Sequence, residues 1–240
     1  MKTKLVIGYS TQFSKQFQHI FNEKLLVTVG LTGDEIAIIP YENDGSLSLT
    51  EAYNDLWECA SVFKDAIVVF IHHDVYFKSQ AWGKTILNLF NQNELDILGL
   101  VGADTLYEHC AWWMDREQKS TATWGRIWHL IDGQEQVADY TSFVNSAKGC
   151  PILQPVVTID GLFIAFNPDT CLTFDEDMKG FHFYDVSFCV RNFLAGKRLA
   201  VTETIQICHE SSGNLNADWQ EKRLKFYEKY GSYLPLSIYA

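Results

Sequence analysis

The residues with the clearest chemical potential are His72, His73 and Asp74, which follow directly on the apolar run "VVFI" (68–71). Along an extended chain successive side chains alternate, so His72 and Asp74 face one way and His73 the other. An imidazole and a carboxylate two residues apart can hold a divalent cation from one side. The carboxylate suits Mg2+ or Mn2+, and the imidazole is tolerated better by Mn2+. A second polar cluster, "CHESSG" (208–213), carries His209 as a candidate third ligand. Surface or core histidines without a ligand would have the same composition, so spacing leaves that alternative open.

Two further acids stand out. Asp185 lies near the start of a helical pattern, where the helix dipole favours a carboxylate whether or not it does chemistry. Its functional reading is a general base. Asp160, followed by Gly161, interrupts the apolar run "VVTIDGLFIAF" (156–166). An acid there needs a partner, and the glycine permits close approach of a ligand or of another stretch of backbone.

These residues need elements to carry them. "LVIGYS" (5–10), "EIAIIP" (35–40), "AIVVFI" (66–71) and "LDILGLVGA" (95–103) read as strands, with Pro40 expected to stop the second. Between them, Phe13, Phe17 and Phe21 mark one helical stripe. Ala52, Leu56, Ala60 and Phe63 mark another, which Ser48 or Thr50 can cap. "AWGKTILNLF" (81–90) reads as the next helix. The alternation predicts an α/β chain with a mostly parallel central sheet flanked by helices. Farther on, "VVTIDGLFIAF" and "RLAVTETIQICHESSG" (198–213) read as strands. "FHFYDVSFCVRNFLAG" (181–196) and "NADWQEKRLKFYEKYG" (216–231) read as helices. The segment 107–150 has few periods and holds four tryptophans. It reads either as an insertion over the mouth of the sheet or as an aromatic mini-core.

Composition narrows the function classes. The chain has 240 residues, 47% of them hydrophobic, enough for one large domain with a full core. A net charge of −11 opposes nucleic-acid binding. It also means an anionic substrate needs a cation or backbone amides. None of the six cysteines forms a C-x-x-C pair, so they are expected to be reduced thiols. No run approaches the ~20 apolar residues of a membrane span. The expected location is cytoplasmic, with docking at the inner face of a membrane still compatible.

In order, "SLTEAYN", "VFIHHDVYF", "TIDGLFIAF", "GFHFYDVSFCVR" and "CHESSG…W" resemble the glycosyltransferase family 2-like group with the GT-A fold. The resemblance covers roughly residues 40–230 and is weakest over 107–150. It implies a single Rossmann-like domain over 1–240. About 1–105 would bind the nucleotide-sugar and 106–240 the acceptor. It further implies sugar transfer from a nucleotide-diphosphate donor, most readily a UDP-sugar, to a glycan, lipid-linked or protein-linked acceptor. Surface-polysaccharide biosynthesis is the expected setting, and inversion at the anomeric carbon the expected outcome. His72 and Asp74 match the metal-binding D-x-D motif, with histidine in place of its first acid, and His209 matches the C-terminal histidine that completes that site. Asp185 matches the base of the "ED" motif, whose first acid is Tyr184 here. Asn54, Asp160 and Gly161 match donor- and acceptor-binding segments. A metal-dependent hydrolase and a non-catalytic nucleotide- or sugar-binding module are the competing expectations.

Overall fold

The structure is a computed structural model that describes residues 2–114, 123–141, 152–211 and 215–239. The chain opens with β1 (Leu5–Thr11), α1 (Lys15–Val29), β2 (Ile36–Glu42), α2 (Leu49–Ala60) and β3 (Ile67–Ile71). β1 lies between the other two strands and pairs in parallel with both, Leu5 opposite Ile36 on one side and Ile67 on the other. Its seven residues are all buried, as expected of a strand covered on both faces. Local signals set the helix ends. Ser14 caps α1 through its hydroxyl, and Gly30 closes it in the left-handed region. Ser48 and Glu51 form a reciprocal capping box at α2.

Then follow β4 (Val75–Phe77), α3 (Trp82–Gln92), β5 (Ile97–Gly99), β6 (Val101–Ala103), β7 (Thr105–Leu106), β8 (Thr123–Ile131) and β9 (Gln134–Asp139). The last two form a hairpin across Asp132-Gly133, both at positive φ, the turn that a two-residue hairpin favours. The chain continues through β10 (Gln154–Val156), β11 (Thr158–Ile159), β12 (Phe163–Phe166), α4 (Tyr184–Leu194), β13 (Leu199–Val201), β14 (Ile207–His209), α5 (Ala217–Tyr230) and β15 (Leu236–Ser237).

The central sheet has the order β10-β13-β5-β12-β3-β1-β2, so strands from both halves of the chain interleave in it. It is mixed. β12 runs against β3 and β5, and β10 runs against β13, while the remaining pairs are parallel. A second sheet has the order β11-β6-β8-β14-β4 with β9 beside β8, and the chain enters its β4, β6 and β14 from the carboxyl ends of β3, β5 and β13. Two expected strands are split between the sheets. The 95–103 run breaks at Leu100, with β5 in the central sheet and β6 in the second. The 198–213 run likewise divides into β13 and β14. Both halves of each run are apolar, so hydropathy alone cannot show the change of sheet.

Two other expectations are corrected. β2 passes through Pro40 and ends at Glu42. It is an edge strand, where a residue without an N–H costs no ladder bond. Asp160 and Gly161 lie in the turn between β11 and β12 and not inside a strand. Among the described residues the five cysteines are free thiols, and Cys150 lies outside them. No described helix is long and apolar enough to cross a membrane.

Candidate active site

His72 follows the last residue of β3, at the carboxyl edge of the sheet. Its backbone N–H donates to the Leu162 carbonyl (3.1 Å), which ties the end of β3 to the start of β12. The chain turns through His73 and Asp74 and enters the second sheet as β4. Antiparallel pairing of β14 with β4 sets His209 opposite Val75, and the Glu210 N–H donates to the Asp74 carbonyl (2.9 Å). That register carries His209 to His72 and Asp74. One ligand atom from each of the three lies within 4.8 Å of the others. His209 Nε2 is 3.5 Å from His72 Nδ1 and 3.3 Å from Asp74 Oδ1. His73 points away. Its Nδ1–H donates to the Ser10 carbonyl (3.1 Å), and its ring meets Phe13 edge-on.

The charges of the group are set locally. Burial, aided by the charge of His209, pulls the His72 imidazole down to about 4, so it is neutral at pH 7. Burial pushes the Asp74 carboxyl up, but hydrogen bonding and charge from His209 outweigh it and hold Asp74 below the usual carboxylate range. His209 is the reverse case. Burial lowers it, the Asp74 carboxylate overrides that, and the net direction is upward.

Asp185 sits in the first turn of α4, and its Oδ2 accepts from the Gly161 N–H (2.9 Å). Burial first, and then the charge of Asp160, push its carboxyl up to about 7. Asp160 accepts from the Leu162 N–H (3.0 Å) and is also raised by burial. Gly161 cannot carry a side chain here, because a Cβ would come within 2.1 Å of the Tyr184 hydroxyl and 2.9 Å of Asp185 Cβ.

These groups share a cavity of about 550 Å3. His72, His209, Asp160 and Asp185 line it, and Asp74 reaches it through His209. Trp112, Trp113, Tyr140, Phe181 and Trp219 line it as well. Among the described residues no lysine or arginine lines it. The aromatic segment 107–150 therefore does reach the mouth of the sheet through its described parts, while 115–122 and 142–150 lie outside the described residues. A second cavity, of about 590 Å3, lies at the carboxyl ends of β1 and β2 and is lined mainly by polar residues, among them Thr11, Ser14, Glu42 and Asn43. Ser10 accepts from Asn43 Nδ2 (3.3 Å) through its hydroxyl and from His73 through its carbonyl, so it links the Asn43 end of this cavity to the turn after β3.

Asn54 is not brought to either cavity. Its amide clamps Phe174, accepting from the Phe174 N–H (3.0 Å) and donating to the Phe174 carbonyl (3.2 Å). Sequence reasoning missed His129, which β8 places opposite His209 and whose Nδ1–H donates to the Ser211 carbonyl (3.2 Å). It also missed the Tyr184 hydroxyl, 2.8 Å from His72 Nε2. The only trace of the first was a histidine among tryptophans. The second had none, since nothing local links positions 72 and 184.

A family model described as "Glycosyltransferase like family" matches residues 10–230. Among solved structures, the chain is similar to that described as "Crystal structure of GalNAc-T7 with UDP, GalNAc and Mn2+". The TM-score is 0.58 at 8% identity, over 95% of this chain and 48% of that one. The chain thus spans about half the length of that protein, and at this identity the likeness is one of fold. A weaker likeness, with a TM-score of 0.46 at 10% identity, is to "Crystal Structure of A197 from STIV", over 88% of this chain and 87% of that one. No curated protein sequence matches the chain.

Proposed function

From the premise that the chain belongs to the glycosyltransferase-like family and has the GT-A fold, we propose that it moves a sugar from a UDP-sugar to a hydroxyl of a glycan or glycoconjugate acceptor. In this reading transfer depends on a divalent cation and inverts the anomeric carbon. The observation that carries it is the convergence of His72, Asp74 and His209 on one point, beside two acids in a single cavity.

The donor set fits a cation. Two imidazoles and a carboxylate favour Mn2+ over Mg2+, which prefers an all-oxygen shell. His72 Nδ1, His209 Nε2 and Asp74 Oδ1 would hold it. A cation there supplies positive charge against the leaving diphosphate, in a cavity that no described lysine or arginine lines. The solved neighbour bound to UDP and Mn2+ supports the same choice of donor and ion.

The chain's own residues supply the rest. Asp185, held by the Gly161 N–H, takes the proton of the acceptor hydroxyl as its oxygen bonds to the anomeric carbon. The bond from that carbon to the diphosphate oxygen breaks in the same displacement, which inverts the centre. Asp160, next to Gly161 in the same turn, keeps the Asp185 carboxyl basic through its charge. The polar cavity at Thr11, Glu42 and Asn43 lies on the same carboxyl edge, and we assign it to the nucleoside end of the donor. The aromatic wall of Trp112, Trp113 and Trp219 takes the acceptor side, where flat rings match the apolar faces of sugars. On this assignment the first half of the chain serves the donor and the second half the acceptor. Asn54 and Gly161 act by shaping backbone.

The test is a panel of nucleotide-sugars incubated with the protein and Mn2+ and followed by mass spectrometry. One donor should lose its sugar, and that loss should stop on chelation. A panel left intact, with no nucleotide raising the melting temperature, overturns the proposal. NMR of the new linkage reads the anomeric outcome.

A further inference from the structure

The Tyr184 hydroxyl has no part in the chemistry above, yet it is fixed at the edge of the cluster. Tyr184 opens α4 and is 3% exposed. Its hydroxyl lies 2.8 Å from His72 Nε2, while the other nitrogen of that ring, Nδ1, faces His209 Nε2 at 3.5 Å. A neutral imidazole carries one N–H, and the partner of one nitrogen decides which of the two keeps its lone pair.

We propose that Tyr184 is a positioning residue. Its phenolic oxygen accepts the His72 Nε2–H, which leaves the Nδ1 lone pair directed at the point shared with Asp74 and His209. This rests on reading that triad as a cation site. A ligating histidine needs such an outer partner to hold both its tautomer and its ring plane, and that partner is ordinarily a carboxylate, a carbonyl or a water. Here a buried phenol fills the place.

The direction follows from the other ring nitrogen. Nδ1 is the atom that faces His209 and the point shared with Asp74, and a nitrogen that is to ligate there must keep its lone pair. The opposite arrangement, with Tyr184 donating to Nε2, would put the ring's proton on Nδ1 and close that atom to a cation. Gly161 keeps the place open, since any Cβ there would lie 2.1 Å from the hydroxyl oxygen. The ring itself is held by Tyr53 and Phe174, with centroids 5.5 and 6.1 Å away. The glycine that interrupts the apolar run 156–166 thus has a reason in residue 184.

The experiment uses the full chain in two states. In metal-free, 15N-labelled protein, long-range proton–nitrogen spectra should show His72 as the Nε2–H tautomer. Tyr184→Phe, which removes one oxygen, should turn it into a mixture. In Mn2+ titrations followed by EPR of the free ion, Tyr184→Phe should weaken binding by about 10–100-fold, the usual cost of losing an outer partner. Gly161→Ala, which displaces the hydroxyl without deleting it, should weaken binding as well. Wild-type tautomer and wild-type Mn2+ affinity in Tyr184→Phe would overturn the inference. His72→Ala separates the two layers of the argument. If it binds Mn2+ as well as the wild type does, the cation reading of the triad fails. The metal-free tautomer then still decides the role of Tyr184, and a Nδ1–H tautomer in the wild type would refute it.

Discussion

Replacing Asp185 with asparagine removes a proton acceptor and keeps a hydrogen bond. The Gly161 N–H, 2.9 Å from Oδ2 in the wild type, can still donate to the amide oxygen, so the α4 start and the 160–161 turn should hold their places. The wild-type carboxyl is pushed up to about 7, first by burial and then by Asp160. A base must be ionised to act. At pH 6 about one molecule in eleven would have an ionised Asp185, and at pH 8 about ten in eleven, so the rate should climb roughly tenfold over that interval and then level off. Asp185→Asn should lose that climb and about 10²-fold or more of the plateau rate, on the order of 2.7 kcal/mol of barrier. The assay is release of nucleoside diphosphate from the active donor, at Mn2+ concentrations that saturate at every pH. Saturation keeps His209, which acid protonates, from imitating the effect. Asp160→Asn gives an internal check. It removes a negative neighbour, so the midpoint of the climb should move to lower pH. A wild-type profile flat from pH 6 to 8, or an Asp185→Asn enzyme at the wild-type rate, would refute the assignment of the base.

Other outcomes follow from the same geometry. Asp74→Ala should abolish the Mn2+-dependent part of nucleotide binding in thermal-shift titrations, because it removes the one carboxylate of the triad and the partner of His209. Asn54→Ala should lower stability by about 1–3 kcal/mol in urea unfolding, since two backbone groups of Phe174 lose their partner, and should leave nucleotide affinity unchanged. A large loss of nucleotide affinity without loss of stability would return Asn54 to the donor site. Ser48→Ala should cost about 1 kcal/mol by breaking the capping box. Gly125→Ala should cost about 1–3 kcal/mol or more, because φ is +100° there and a Cβ would meet the Leu100 carbonyl at 2.0 Å.

Much of the first half of the fold was legible because its signals are local. Continuous apolar runs marked β1 and β3, and the two candidate caps Ser48 and Thr50 announced α2, with Ser48 the one used. Pro40 misled because its effect depends on whether a strand is interior or at an edge, and position in the sheet is not a local property. The breaks at Leu100 and between β13 and β14 were hidden for a related reason. At Leu100 burial on both sides of the change of sheet gives one unbroken apolar run, and at 199–209 the polar residues between β13 and β14 read equally well as the exposed face of a single strand. At the site, His72 and Asp74 do come together and His73 is engaged elsewhere, but residues 73 and 74 form a turn, so the grouping comes from that turn and not from strand alternation. The approach of His209 depends on β14 pairing with β4, a register that spacing cannot give. His129 and Tyr184 arrive by the same long-range pairing and packing. Asn54 illustrates the converse, a polar side chain in a matching segment that is engaged by backbone.

The way β14 meets β4 has a consequence for stability. His72 and His209 lie 137 residues apart and belong to different layers, one at the end of a strand of the central sheet and the other in a strand of the second sheet. A cation held between them is therefore a clasp between layers as well as a reagent. At a hundredfold excess over its dissociation constant it would add about 2.7 kcal/mol to folding, and that gain would appear where the layers join. Hydrogen exchange in β4 and β14 should slow on adding Mn2+ and quicken on chelation, while β1 and β3 stay protected in both states. If the triad holds that cation, ion loading and the integrity of the outer sheet are one equilibrium seen from two sides.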